Sequence, residues 1–142
     1  ILHNTSNYTI ADCCKPIPGD PVVAFKNNIS YTIHNSNCPK AIELQATETA
    51  HKIKWISRSE QAFLVTIHIE GNDRVGILNE ITRVISEQSN VNIRMVHIDS
   101  SELKFMGTLD LYINDLLHLN NLMMKLQKIK GMTKVNRIEM RK

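Results

Sequence analysis

Phe63-Leu64-Val65-Thr66-Ile67-His68-Ile69-Glu70, followed after one glycine by Asn72-Asp73-Arg74-Val75-Gly76-Ile77-Leu78, is the stretch on which the fold turns. Phe63, Val65, Ile67 and Ile69 alternate with Leu64, Thr66, His68 and Glu70, and this period of two predicts a strand with one buried face. The period then changes. Leu78, Ile81, Ile85 and Gln88 fall at helical spacing, the first three form an apolar stripe, and Asp73 stands before them as the expected cap.

Working outward to the C-terminus, Val91 to Ile98 reads as a second strand whose alternation breaks at Met95-Val96, so its buried face is not assigned. Phe105, Gly107, Leu109, Leu111 and Ile113 restore a period of two, and polar Ser100-Ser101-Glu102 before them predicts a hairpin turn. Asp115 can cap a second helix carrying Leu119, Leu122, Met123, Leu126 and Ile129, with Gly131 as its left-handed stop. Val135 and Ile138 predict a closing strand. Strand, helix, strand, strand, helix, strand is the split βαβ or ferredoxin-like order, in which two helices cover one face of a four-stranded antiparallel sheet. The other face and an edge stay available. Apolar side chains are expected there, and a homodimer, or burial against another domain, is the expected remedy.

Toward the N-terminus the pattern is interrupted by polar Ser57-Arg58-Ser59-Glu60-Gln61, which sets an expected boundary between a module over 1–57 and a domain over 62–142. In the first module Pro16, Pro18, Gly19, Pro21 and Pro39 should break any helix, while Val22-Val23-Ala24-Phe25 and Tyr31-Thr32-Ile33 read as short strands. The expected class is therefore α+β: a small, loop-rich β module followed by a βαββαβ domain.

With 142 residues, 42% of them hydrophobic, the chain can bury a real core. A net charge of +3 with 22% charged residues is far from the balance of a dedicated nucleic-acid binder. No apolar run approaches the roughly 18 residues of a spanning helix, and Ile1-Leu2-His3-Asn4-Thr5 lacks the pattern of a signal peptide. A cytoplasmic location without membrane contact is expected. The chain opens without a methionine and reads as a fragment. Three cysteines, two of them adjacent, make no disulfide framework and read as thiols or metal ligands.

Cys13, Cys14, His34 and Cys38 supply three thiols and an imidazole, a donor set suited to tetrahedral Zn²⁺, and His34 and Cys38 have the spacing of half a zinc finger. Adjacent cysteines in a strand would point to opposite sides, so both can bind only if the backbone turns sharply. Spacing alone leaves a metal site and incidental core thiols both open. A cysteine hydrolase is not supported, since no Asn or Asp is placed to orient His34 toward Cys14. In the strand-to-helix segment, Gly76 can let backbone N–H groups approach a small carboxylate or phosphate, or can simply ease a tight turn. No Walker-type phosphate loop or paired His-Asp motif occurs. His3, His51, His68, His97 and His118 are scattered, and Met123 and Met124 read as packing residues. From Leu116 onward, Lys125, Lys128, Lys130, Lys134, Arg137, Arg141 and Lys142 face only Glu139, a cluster that could meet RNA phosphates or form a solvated face.

The segment Ala11-Asp12-Cys13-Cys14-Lys15-Pro16-Ile17-Pro18-Gly19-Asp20, with Ile33-His34 and Cys38-Pro39 as its continuation, closely resembles a signature of the long RelA/SpoT homologues. In that family it opens a zinc-finger or ribosome-intersubunit module, followed by an ACT domain. The resemblance runs from about Ala11 onward and implies a regulatory, non-catalytic piece whose enzymatic domains lie upstream. The parent would be a GTP pyrophosphokinase or (p)ppGpp hydrolase of the stringent response. It further implies Cys13, Cys14, His34 and Cys38 as zinc ligands, and rRNA and tRNA on the ribosome as partners. Lys125, Lys128, Lys130, Lys134 and Arg137 are the candidate RNA contacts. The resemblance also implies an ACT ligand site, for a branched-chain amino acid, built from Asn72, Asp73, Val75, Gly76, Ile77 and Leu78 with Asn92 and Ile93 at a dimer interface. The chain departs from the family pattern at Asn28-Ile29-Ser30, where a Gly-Arg-Gly turn is usual, and at Asn35 and Asn37, which replace an Arg and an Asp. The rival reading is an amino-acid-binding ACT module regulating another metabolic enzyme.

Overall fold

A computed structural model describes residues 8–26, 30–53, 55 and 62–139. The expected linker at 57–61, the Asn28-Ile29 departure, His3 and the terminal Arg141 and Lys142 lie outside the described residues. The chain forms two compact units, the second made of Ala62–Ile113 and Leu117–Ile138, while Asn114–Leu116 group with the first.

The first unit is a four-stranded sheet in the order β1-β3-β2-β4, made of β1 (Tyr8–Ile10), β2 (Val22–Lys26), β3 (Tyr31–Asn35) and β4 (His51–Lys52), with α1 (Pro39–Leu44) after β3. β1 lies parallel to β3, and β2 pairs antiparallel with β3 and β4. Pro39 does not break a helix here. It stands in the first turn of α1, where a missing N–H costs nothing and its fixed φ suits the helix. Between β1 and β2, Ile17-Pro18-Gly19-Asp20 closes a turn with Gly19 at φ 101° and the Asp20 N–H donating to the Ile17 carbonyl at 3.0 Å. The buried Asp20 carboxylate accepts the Ile17 N–H at 2.8 Å, so Asp20 closes the turn through both its backbone and its side chain. Ala11, Cys14, Val23, Phe25, Cys38 and Ala41 form one buried cluster, which places two of the cysteines in the core of this unit.

The second unit has the expected order: β5 (Phe63–Asn72), α2 (Ile77–Arg83) continued by a π-helical turn (Val84–Gln88), β6 (Asn92–Ser101), β7 (Lys104–Ile113), α3 (Leu116–Gln127) and β8 (Met132–Ile138). The sheet order is β6-β7-β5-β8, antiparallel throughout, as the ferredoxin-like arrangement requires. One sheet face carries Val65, Ile67, Ile69, Leu109, Leu111 and Ile113, all at most 3% exposed. Ile81 and Ile85 from α2 and its extension, and Leu119, Leu122 and Leu126 from α3, are equally buried. Each such side chain contributes roughly 1.5–3 kcal/mol by leaving water. Gly131 adopts φ 100° in the turn into β8.

Four expectations are corrected. Asp73 does not cap α2: Gly76 occupies that position at φ 88°, no side chain caps the helix, and the Asp73 N–H donates to the Leu103 carbonyl at 2.8 Å. Leu78 is 47% exposed, and α2 instead buries Ile77 and Ile81. Met124 is exposed, since it falls on the solvent side of α3. The β6–β7 hairpin turns at Glu102 and Leu103, which carry φ 52° and 68°, while Ser100 and Ser101 remain in β6. Two successive positive φ values match the right-handed twist of the flanking strands, and no glycine signals them.

The open face also differs from the reading that apolar side chains would cover it. Cross-strand register places Thr66, His68, Glu70, Asn72, Lys104, Met106, Thr108, Asp110 and Tyr112 there. Polar pairs dominate: the Thr66 hydroxyl donates to Asp110 at 2.7 Å, Arg94 reaches Asp110 at 3.2 Å, and His68 meets Glu70 at 2.7 Å. Met106 and Tyr112 are its exposed apolar members on β7. A bulge between Ile93 and Met95 is what breaks the alternation of β6: Met95 becomes the cross-strand partner of Asp110, and Arg94, the extra residue of the bulge, reaches the same carboxylate with its side chain.

Candidate metal centre and ligand cavity

Cys13 and Cys14 are not in a strand. The chain turns tightly over residues 12–14, the Lys15 N–H donates back to the Ala11 carbonyl at 3.0 Å, and Lys15 takes φ 42°. This turn lets neighbouring thiols converge. His34 comes from the buried end of β3, and Cys38 from the residue just before α1.

The link between His34 and Cys38 is held by Asn35, a residue that the spacing argument passes over. Its side-chain carbonyl accepts the Asn37 N–H at 3.0 Å and its backbone carbonyl accepts the Cys38 N–H at 2.9 Å. Its own N–H donates to the Cys14 sulfur at 3.3 Å. The signal was present in the sequence, since Asn readily bonds a backbone group two residues on and so starts a turn.

Among the described residues, Cys13, Cys14, His34 and Cys38 place one donor atom each within 4.8 Å of all the others. The Cys13 sulfur lies 3.9 Å from that of Cys14, 3.5 Å from that of Cys38 and 3.5 Å from His34 Nδ1. The Cys14 sulfur lies 3.9 Å from the same nitrogen. Zn–S bonds of 2.3 Å at the tetrahedral angle separate two sulfurs by about 3.8 Å, so these donors are spaced as the edges of a zinc tetrahedron. Burial pushes the Cys14 thiol up to about 12 and also raises Cys13, to which the hydrogen bond with Cys38 adds. At Cys38 burial raises the thiol, but the amide of Ala41 and the Cys13 thiol turn the net shift downward. Burial, then the charge of Lys40, lowers His34, favouring the neutral imidazole that a metal requires. The donor set fits a soft, tetrahedral divalent ion.

In the second unit a cavity of about 280 Å³ opens beside the strand-to-helix turn, lined by Asp73, Arg74, Gly76, Ile77, Leu78 and Ile81 from the turn and α2, and by Ile98, Ser100 and Phe105 from β6 and β7. Arg74 fixes the turn: its Nη2 donates to Glu80 at 2.7 Å and its Nε to the Lys130 carbonyl at 2.9 Å. Of the expected ligand residues, Val75 is fully exposed and Asn72 lines a separate cleft on the open face. Asn92 and Ile93 stand at the start of β6, away from Ile98 and Ser100 near its end. The wall residues Ile98, Ser100 and Phe105 were not among the expected set, because only the sheet register brings them to the turn.

The basic residues do not form one patch. Lys134 and Arg137 pair with Glu70 and Ile67, positions whose side chains emerge on opposite faces of β5. Lys125 donates to the Gln88 carbonyl at 3.1 Å, and Lys134 lies 3.7 Å from Glu70. Lys128 and Lys130 are exposed just after α3.

Residues 59–137 match the ACT domain family, and residues 3–56 match the RelA/SpoT RIS domain. A GTP pyrophosphokinase of Streptomyces coelicolor is 30% identical over 132 residues, a span taking 91% of this chain and 16% of that protein. A bifunctional (p)ppGpp synthase/hydrolase RelA of Mycobacterium tuberculosis is 27% identical over 132 residues, 91% of this chain and 18% of that protein. The chain thus spans less than a fifth of these curated relatives. A crystal structure of the ACT domain from the GTP pyrophosphokinase of Chlorobium tepidum is 35% identical, with TM-score 0.51, covering 55% of this chain and all of that one. On these matches the chain belongs to the RelA/SpoT family, as a regulatory region in which a RIS domain is followed by an ACT domain.

Proposed function

We propose that this region is the non-catalytic sensing part of a (p)ppGpp synthetase/hydrolase, passing amino-acid starvation to enzymatic domains elsewhere in the protein. The observation that carries this reading is a cluster of four metal-competent donors in the RIS unit together with a small cavity beside the Gly76 turn of the ACT unit. Neither arrangement is built for turnover, and each is suited to holding a shape or a ligand. In the RIS unit Cys13, Cys14, His34 and Cys38 would hold Zn²⁺, which when bound ties the Cys13-Cys14 turn to the end of β3 and the start of α1. Metal analysis of protein purified without chelator should find zinc near one per chain, and its absence would return the cysteines to plain core thiols.

RNA on the ribosome is the proposed partner of the region, with Lys128 and Lys130, which lie in the ACT unit, the most available of the candidate RNA contacts. Co-sedimentation with ribosomes that weakens when both are replaced by glutamine supports this role, and unchanged co-sedimentation removes them from it.

The second reading is amino-acid sensing. The Gly76 cavity has apolar walls at Ile77, Ile81, Ile98 and Phe105, and its volume is of the order of a small aliphatic ligand. Pairing of two chains through the β6 edge would bring Asn92 and Ile93 of one copy toward the Gly76 turn of the other. Calorimetry with valine, leucine and isoleucine tests this reading. Location in the cytoplasm follows from the same proposal; among the described residues no helix is long and apolar enough to cross a membrane.

A further inference from the structure

We propose that Cys13 and Cys38 form an oxidisable pair, so that the cluster is a site of reversible modification by hydrogen peroxide as well as a metal centre. The release of metal rests on the zinc reading above; the disulfide step does not.

Three observations single out this pair. The Cys13 and Cys38 sulfurs are 3.5 Å apart, closer than those of Cys13 and Cys14 at 3.9 Å. Of the three thiols only Cys13 is partly open to solvent, while Cys14 and Cys38 are each 1% exposed, so a small oxidant meets Cys13 first. Both partners sit in connections, Cys13 in the turn before Lys15 and Cys38 between β3 and α1. Closing to an S–S bond of about 2.05 Å therefore asks for roughly 1.5 Å of approach without breaking a strand ladder.

The alternatives are worse. A Cys13–Cys14 bond would close an eight-membered ring across one peptide and force that peptide from its ordinary geometry. Cys14 is as buried as Cys38, and its sulfur is further held in place by the Asn35 N–H at 3.3 Å.

The chemistry balances. Cys13, the sulfur a solvent-borne oxidant can reach, attacks the peroxide O–O bond once it has given up its proton, leaving a sulfenic acid and one hydroxide. The Cys38 thiolate then attacks that sulfur, the S–S bond forms, and a second hydroxide leaves. With the two protons of the thiols, one peroxide becomes two waters and two thiols become one disulfide. Only Cys14 and His34 then remain as donors, too few for a closed tetrahedral site, so a bound ion is released.

The test uses the full chain, purified without chelator. Zinc content is measured first, and this alone reports on the metal reading. Hydrogen peroxide is then added at one equivalent, and proteolysis with mass spectrometry maps the product. The expected result is a Cys13–Cys38 disulfide, loss of two free thiols, release of one zinc for each disulfide, and recovery with dithiothreitol and added zinc. Cys14→Ser should still form the bond, and Cys13→Ser should form none. Since either variant could misfold, the map of the unaltered chain decides. Thiols that stay reduced, a product linked chiefly through Cys14, or direct passage to sulfinic acid overturns the proposal. Protein that holds no zinc yet forms the Cys13–Cys38 bond overturns the metal reading and leaves this one standing.

Discussion

The Phe105 ring lies directly over Gly71, its cross-strand partner, at the end of the central β5–β7 pair. A Cβ built on Gly71 would stand 2.7 Å from Phe105 Cε2 and 2.5 Å from the Gly131 carbonyl oxygen. The ring fills the place a side chain would take, and the backbone of the β8 turn closes the other side. Gly71→Ala is expected to destabilise the ACT unit by about 1–3 kcal/mol through overpacking. Urea unfolding of the two proteins checks this, and a change below about 0.5 kcal/mol would mean the neighbours yield freely. Phe105 also lines the Gly76 cavity, so the same substitution should disturb any ligand held there.

Asn35 gives a second prediction, placed at the metal centre. Asn35→Ala keeps the backbone N–H on Cys14 and the carbonyl on the Cys38 N–H, and loses only the side-chain bond to Asn37. One such bond is worth about 1 kcal/mol, so zinc affinity should fall by about fivefold. Asn35→Asp keeps an acceptor oxygen at the same place and should recover most of the loss. Competition with a chromophoric chelator measures both, and equal weakening of the two variants would deny the turn its role.

How far these sites were legible differs by site, and the reasons are physical. The alternation of Phe63 to Glu70 and the Leu119, Leu122, Leu126 repeat announced a strand and a helix, because burial on one face imposes those periods. The Gly76 cap was misread as Asp73, since a left-handed cap is a backbone state that leaves no polar side chain to find. Leu78 was assigned the buried position that Ile77 holds, since i, i+3 and i, i+4 spacings to Ile81 are both helical and periodicity does not choose between them. The metal cluster depended on whether Cys13 and Cys14 lay in a strand or a turn, and Lys15 at φ 42° is not a residue that signals a turn. The polar network of the open face, Arg94–Asp110–Thr66, needed the bulge at Arg94, which strand periodicity can only show as a break.

The open face also carries a pH response. Glu70 is held below the ordinary carboxylate range first by the hydrogen bond from His68 and then by the charge of Lys134. A depressed folded-state value means the contribution is fully present above the unfolded value of 4.5 and is lost as pH falls through the lower folded value. His68→Ala should move the Glu70 titration upward, toward 4.5. Carboxyl-detected NMR on the labelled protein reads it, and an unchanged Glu70 curve would assign the shift to Lys134 alone.

Gly76 separates backbone strain from ligand binding, because the two causes act on it independently. Its φ of 88° lies in the left-handed region, yet a Cβ there would meet nothing within 4 Å. Gly76→Ala should therefore cost about 1 kcal/mol of strain and no clash. Gly76→Asn, which tolerates that region better, should cost less. Neither small side chain fills the cavity, so both should retain most amino-acid binding if the cavity is the site. Gly76→Trp adds bulk at the cavity mouth: it should lose binding altogether, with a stability cost near that of alanine, since the space beside Gly76 is open. Calorimetry with leucine, valine and isoleucine, paired with urea unfolding of each variant, distinguishes the cases. Sedimentation of the same proteins at high concentration adds the second copy to the question. A protein that stays monomeric while Gly76→Trp binds as the unaltered chain does would place both the ligand and the partner surface somewhere other than the Gly76 turn.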